Sequence, residues 1–114
     1  MPHDERMSYG VLWSKNGEPA YAGRLEVERD RLVLEGSVRG RREHAELRPG
    51  EIEAVRVGRS QADRLGGRAV LVLERASGED VRVAPIGAVG VLHELLDVVN
   101  SWRGSVRQAA SKSA

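Results

Sequence analysis

The stretch RLEVERDRLVLEG, residues 24–36, decides the fold because charged and apolar side chains alternate in it twice, around a central run of four charged residues. Alternation with a period of two predicts β-strands that bury one face, and the central run predicts the turn of a hairpin. Because Arg29-Asp30 lacks the glycine that a two-residue turn favours, we expect a four-residue loop. The outer face carries charged pairs, with Arg24 opposite Glu35. The buried face carries the aliphatic pairs Val27–Leu32 and Leu25–Leu34.

The dipeptide Asn16-Gly17 predicts the turn of the hairpin that precedes this one. Both central residues of such a turn need positive φ, which asparagine and glycine adopt at low cost. Pairing outward from a two-residue turn places Trp13 opposite Ala20 and Lys15 opposite Glu18. The sequence therefore predicts a first hairpin with an aromatic side chain packed on a small one.

Later turn signals complete a set of seven strands. Arg39-Gly40 predicts a two-residue turn that continues the same buried face, and Pro49-Gly50 predicts a type II turn at a corner of the sheet. A shift in apolar parity between Ala54 and Val55 predicts a bulge, while AVLVLER, residues 69–75, is typical of a strand buried on both faces. The expected cross-strand pairs are Leu34–Ala45, Leu32–Leu47, Leu73–Val81 and Leu71–Val83.

The last element changes period. Its apolar residues recur at intervals of three and four, which predicts an amphipathic helix with one face on the core. We expect the helix to begin near Ala88 and to end at Gly104, a residue type that favours the position just after a helix. The apolar stripe consists of Val89, Leu92, Leu95, Leu96, Val99 and Trp102.

Length and composition describe one small domain. The chain has 114 residues and no cysteine, which excludes disulfides, thiolate metal sites and cysteine nucleophiles. Its 18 basic and 17 acidic residues nearly cancel, so no overall field directs it to nucleic acid or membrane. Without a long apolar run or a signal-peptide core, we expect a soluble, cytoplasmic protein. We expect a domain over 8–104 between flexible tails over 1–7 and 105–114.

Seven strands in meander order followed by one helix resemble the pleckstrin-homology (PH) superfold. The segment PGEIEAVRVGR, residues 49–59, is similar to the corner between the fourth and fifth strands of bacterial PH-like domains, and Trp102 lies on the last helix, as the family's characteristic tryptophan does. The resemblance covers about residues 9–103. It implies a mainly β fold, namely a partly open barrel of seven antiparallel strands in two orthogonal sheets, capped by a C-terminal helix. It also implies an interaction module and not an enzyme.

The phosphoinositide motif of PH domains is incomplete in this chain. That motif places basic residues in the first hairpin, and Lys15 and Arg24 match its first two positions. Glu26 occupies the position of the final arginine, and the turn at Asn16-Gly17 is too short to wrap an inositol ring. The resemblance therefore does not extend to the phosphoinositide site.

A local basic cluster consists of Arg39, Arg41 and Arg42, at the predicted tip of the third hairpin. The PH resemblance implies that this tip lies at the same open end as Lys15 and Arg75, so that five cations converge on an anion. A basic residue contributes about 1 kcal/mol at an anionic membrane surface, so the three arginines give about a hundredfold enrichment at most. The alternative interpretation is a hairpin tip that only contacts solvent.

The longest predicted connection, residues 58–68, is a second candidate surface, because long loops in compact domains are often functional. It carries Arg59, Arg64 and Arg68, which would contact a partner or only solvent.

Together these observations favour a non-enzymatic module that binds a protein or peptide through its loops or an exposed strand edge. The alternative is weak peripheral binding of anionic phospholipid headgroups through the hairpin-tip cations, at the inner membrane face. An enzyme would need a polar cavity, whereas the predicted interior is aliphatic. Nucleic-acid binding is disfavoured because acidic residues interrupt every basic stretch. No cofactor or metal site is expected, since the three histidines are far apart; they are His3, His44 and His93. The sequence leaves the partner and the oligomeric state open.

Overall fold

The computed structural model describes residues 7–15, 19–87 and 90–113, with side chains described as far as Gly104. Its elements are the strands β1 (Met7–Lys15), β2 (Tyr21–Val27), β3 (Leu32–Val38) and β4 (Arg41–Leu47), a 3-10 turn (Pro49–Glu51), the strands β5 (Ile52–Gly58), β6 (Val70–Arg75) and β7 (Val81–Pro85), and the helix α1 (Val91–Ser113). The predicted limits of the domain stay a prediction, although β1 already includes Met7.

The seven strands form one antiparallel sheet in the order β4-β3-β2-β1-β7-β6-β5. Each strand pairs with the next along the chain, but the described residues contain no pairing between β4 and β5. In addition, β1 pairs with β7. β1 therefore joins a group of four strands to a group of three, and the open side lies between β4 and β5. This arrangement confirms the predicted fold class.

The core forms where the alternating residues of 24–36 meet those of the neighbouring strands. Leu25, Leu32 and Leu34 are at most 1% exposed and Val27 is 8% exposed. Burying each such side chain stabilises the fold by roughly 1.5–3 kcal/mol. The expected pairs of the second, third and last hairpins are confirmed, as are the four-residue loop at 28–31 and the burial of Val70–Leu73.

Helix α1 packs one face against β5, β6 and β7. Leu95 and Val99 are fully buried there, and Trp102 is 8% exposed. The indole Nε1 of Trp102 donates to the backbone oxygen of Glu28 at 2.8 Å. Because this bond joins the helix to the loop between β2 and β3, it fixes the helix across one end of the barrel.

The predicted register of the first hairpin is wrong by one residue. Trp13 lies opposite Tyr21 and not Ala20, and their rings pack at a tilt of 40° with centroids 4.9 Å apart. Both side chains are buried, at 0% and 3% exposure. A one-residue slip turns every side chain of a strand to the other face, so burial of Tyr21 beside Leu25 requires the observed register. The turn Asn16-Gly17 and the predicted Lys15–Glu18 pair lie outside the described residues.

Three smaller predictions differ from the structure. Helix α1 continues through Gly104 to Ser113, because helix-forming residues follow the glycine and its backbone is not left-handed. The corner at Pro49-Gly50 is a 3-10 turn and not a type II turn. The bulge of β5 lies between Ile52 and Ala54, slightly earlier than predicted. The predicted helix start at Ala88 lies outside the described residues.

Candidate functional site

The candidate site lies at the end of the sheet where the β3–β4 and β6–β7 hairpins turn. Lys15 ends β1 opposite Val81, the first residue after the β6–β7 loop. The pairing of β1 with β2, and of β2 with β3, places the β3–β4 turn at this same end. We name this region the open end. The topology thus brings the predicted cations of three hairpins to one end of the molecule.

Two of the five predicted cations are neutralised by carboxylates. The Nζ atom of Lys15 lies 2.9 Å from Oε2 of Glu43, and this hydrogen bond lowers the pKa of Glu43. Arg75 lies within 4.0 Å of both Glu51 and Glu79. Exposed pairs of this kind contribute about 0.2–1 kcal/mol each to stability. Neither cation therefore presents an uncompensated charge to an incoming anion.

The other three cations form the free basic surface of the open end. Arg39, Arg41 and Arg42 are exposed, and within the described part of the chain none of them has a carboxylate in ion-pair distance. Their hairpin turns through Arg39 at φ +50° and Gly40 at φ +78°, the signature of a type I′ turn. We call these three arginines the tip cluster.

A cleft adjoins the tip cluster on the outer face of β2, β3 and β4, with a volume of about 660 Å³. It lies above Gly23 and Gly36, which pair across β2 and β3 and hold the two backbones close together. A Cβ atom on Gly23 would overlap the carbonyl oxygen of Glu35. The cleft is lined by Gly23, Arg24, Glu35, Gly36, Ser37, Arg42, Glu43 and His44.

Trp13 supports the floor of this cleft from inside the barrel. Its indole Nε1 donates to the backbone oxygen of Glu35 at 3.1 Å, and a Cβ atom on Gly36 would lie 2.9 Å from that nitrogen. Gly36 therefore makes room for the indole beneath the strands, and Gly23 allows the backbones of β2 and β3 to approach closely. The register predicted for 24–36 already places Gly23 opposite Gly36. The sequence therefore contained the signal for this close approach of two strands, although the prediction did not use it.

His44 crosses the outer face between two carboxylates. Its Nε2 lies 3.0 Å from Oε2 of Glu46, and its Nδ1 lies 3.7 Å from Oε2 of Glu35, its partner on β3. Hydrogen bonding to His44 and the charge of Arg31 lower the pKa of Glu46. The outer face thus combines charges of both signs, whereas no arginine of the tip cluster forms an ion pair within the described residues.

The second predicted surface is the connection between β5 and β6. Some of its charged side chains form hydrogen bonds and ion pairs within the connection or with the neighbouring strand. Arg64 donates to the backbone oxygens of Arg59 and Gly67, both at 2.9 Å. Asp63 accepts from Ser60 and pairs with Arg56, and these bonds lower the pKa of Asp63. Arg59 and Arg68 are exposed. Their role in partner binding stays a prediction.

The comparisons with known proteins establish the fold. No protein-family model matches the sequence, and no curated protein matches it. Among solved structures, the N-terminal PH domain of Vps36 superposes with a TM-score of 0.63 at 12% identity, covering 95% of this chain and 86% of that one. The fold is PH-like. The C-terminal domain of an unknown protein from Leishmania infantum superposes with a TM-score of 0.60 at 11% identity, covering 84% and 81% of the two chains.

The PH-like barrel encloses an apolar interior of aliphatic and aromatic side chains. Among the described residues, Ser14 is the single buried polar side chain, and the cleft with charged lining lies on the outer face. In the same part of the chain, no helix has both the length and the apolar character needed to cross a bilayer. The charged side chains that a partner could contact are therefore those of the exposed strands and hairpin tips.

Proposed function

We propose that this PH-like domain is a non-enzymatic interaction module that binds an acidic, extended segment of a protein partner at the tip cluster. The observation that carries the proposal is the group of three exposed arginines, Arg39, Arg41 and Arg42, without an ion pair among the described residues and beside a cleft. Arginine presents a planar group of donors that matches a carboxylate. A partner segment with alternate acidic side chains would contact the arginines and place its other side chains in the cleft.

The backbone of Arg39 supports this proposal independently. Among the described residues it is the one non-glycine residue with positive φ. Asparagine or glycine adopts this conformation at lower cost, so arginine here breaks a local preference without gaining a side-chain hydrogen bond or ion pair within the described part of the chain. Such departures concentrate at functional positions, and we take the side chain of Arg39 to contact the partner.

The strength of the interaction follows from the exposure of the arginines. An exposed pair between an arginine and a carboxylate contributes about 0.2–1 kcal/mol. Three such pairs correspond to roughly a 3- to 150-fold change in the dissociation constant. Specificity must then come from side chains that fill the cleft, because charge alone does not distinguish one acidic segment from another.

A titration followed by amide NMR shifts tests where an acidic segment binds. The probe is a short synthetic peptide of alternating glutamate and valine, and its counterpart has lysine in place of glutamate. We expect the acidic peptide to shift the amides of residues 36–44 and the basic peptide to leave them unchanged. Shifts confined to residues 58–68 would assign binding to the other predicted loop and contradict the proposal.

Anionic phospholipid headgroups are the alternative ligand for the same cations. The lipid interpretation relied on five converging cations. Because Lys15 and Arg75 form ion pairs, three arginines are left to contact a headgroup. The lipid is therefore a less well supported ligand than the peptide. Sedimentation with phosphatidylserine vesicles separates the two ligands. Vesicle binding that depends on the tip cluster, together with no response to the acidic peptide, would favour the lipid. We also propose that the protein is bacterial and cytoplasmic. If its ligand is a lipid headgroup, it would lie peripherally at the inner membrane face.

The variant Arg39→Asn is expected to separate stability from binding. Asparagine tolerates the left-handed conformation better than arginine, so the free energy of unfolding should rise by roughly 0.5–1 kcal/mol. Loss of one cation should weaken binding of the acidic peptide by up to about fivefold. Urea denaturation and peptide titration of the same sample measure the two effects. A variant that gains stability and keeps its affinity would show that Arg39 does not contact the peptide.

A further inference from the structure

The outer edge of β4 is the open edge of the sheet. β4 and β5 are the two end strands, but they differ in how their edges are covered. At β5, the Nη2 atom of Arg103 donates to the backbone oxygens of Ile52 at 3.2 Å and of Glu53 at 3.1 Å. At β4, no strand of the described residues pairs with the outer side of Arg41–Leu47. A long open edge is a template for pairing with another chain.

The turn geometry identifies which backbone groups this edge presents. In a two-residue hairpin the residues that flank the turn, here Val38 and Arg41, exchange hydrogen bonds. The amides of the alternate residues Arg42, His44 and Glu46 then point away from β3. In agreement, the N–H of His44 donates to the side chain of Glu43, at 3.4 Å. These three residues also carry their side chains on the outer face.

We propose that a second copy of this chain pairs with this edge, antiparallel, on a two-fold axis at His44. In this register Arg42 of each copy lies opposite Glu46 of the other copy, so the opposite-charge pair forms twice. The outward backbone groups of Arg42, His44 and Glu46 meet their counterparts in the positions that form hydrogen bonds. The carboxylate of Glu43 leaves the amide of His44, and the carbonyl of the other His44 replaces it.

The charge pattern selects this register over its neighbours. Shifting the pairing by one residue places an outward backbone group opposite an inward one, so only every second register forms the hydrogen bonds. Moving the axis to Glu43 places Arg42 opposite His44, and moving it to Ala45 places Arg42 opposite Arg48. Arg42 has no carboxylate in ion-pair distance among the described residues, so it is available for the second copy. Charges on an edge strand usually oppose pairing, but this edge is complementary to itself.

The dimer does not depend on the proposed function, because the test measures the mass of the protein alone. Sedimentation equilibrium of the full chain, from about micromolar to about millimolar concentration, should show a transition from 12.5 kDa to twice this mass. The single variants Arg42→Glu and Glu46→Arg should each raise the dissociation constant by roughly 10- to 100-fold, since each faces like charges twice. The double variant with both changes should restore dimerisation.

Two further variants control for folding and for backbone pairing. Arg29→Glu reverses an exposed charge outside β4 and outside both candidate surfaces, and it should leave the dissociation constant unchanged. His44→Pro removes an amide that β3 does not use, so the domain should keep its circular dichroism spectrum and lose the dimer. A monomer at every concentration, equal dimerisation of the single variants, or failure of the double variant to restore it would each overturn the proposal. A monomer whose β4 amides become protected only by the acidic peptide would assign the edge to that partner.

Discussion

Replacing Trp13 with alanine is expected to destabilise the protein by about 3–5 kcal/mol. The indole is fully buried, packs against the tilted ring of Tyr21 and donates a hydrogen bond to the backbone oxygen of Glu35. Alanine would leave a cavity beneath Gly23 and Gly36, at the strands that form the floor of the cleft. Urea denaturation followed by circular dichroism measures the change in the free energy of unfolding.

Trp13→Phe is the matched control, because it keeps an aromatic ring and removes the donor to Glu35. Loss of one such hydrogen bond costs about 1 kcal/mol, with a further cost for the smaller ring. We therefore expect this variant to lie between the wild type and Trp13→Ala. If alanine at this position cost under about 1 kcal/mol, the indole would not support the sheet as described.

The variant Gly23→Ala is expected to lose more than about 3 kcal/mol of stability or to fail to fold. Its Cβ atom would overlap the carbonyl oxygen of Glu35, a backbone atom that moves only if the strands separate. Moving β3 away from β2 would also break ladder hydrogen bonds and expose Leu25 and Leu34. Thermal unfolding and the dispersion of the amide NMR spectrum report the loss.

Gly10→Ala is the control for this prediction, since Gly10 lies on the neighbouring strand opposite Arg24. A Cβ atom there meets no atom within 4 Å. Alanine reduces the freedom of the unfolded chain, so this variant should be neutral or more stable by up to about 1 kcal/mol. Equal stability of the two variants would mean that β2 and β3 do not approach closely at Gly23.

The sequence predicts those parts of the fold that depend on local pattern. In 24–36 the period of two and the turn residues agree, so the register and the four-residue loop follow from neighbouring residues alone. The first hairpin shows the limit of this approach. Its turn residues favour Trp13 opposite Ala20, but Trp13, Tyr21 and Leu25 must share one buried face. Applying that parity rule to the sequence would have given the observed register.

The end of helix α1 shows a different limit. Glycine favours the position after a helix, but it does not end one unless the backbone turns left-handed there. Gly104 is followed by Arg107, Gln108 and two alanines, which favour continued helix. The backbone accordingly remains helical to Ser113.

The candidate site was only partly predictable. The turn at Arg39-Gly40 and the exposure of the tip cluster follow from the hairpin pattern. The pairing of Lys15 with Glu43 does not, because these residues lie on β1 and β4 and meet only when the barrel curves. The sequence therefore predicted five available cations, of which three form no ion pair among the described residues.

The most direct test of the proposed function is the dissociation constant of the acidic peptide for three proteins. These are the wild type, the tip variant Arg39→Ala/Arg41→Ala/Arg42→Ala, and the control variant Arg29→Ala/Arg59→Ala/Arg68→Ala, which loses the same number of positive charges elsewhere on the exposed surface. The tip variant should bind roughly 3- to 150-fold more weakly, and the control should bind like the wild type. Equal losses in both variants, or no loss in either, would contradict the assignment of the tip cluster as the binding surface.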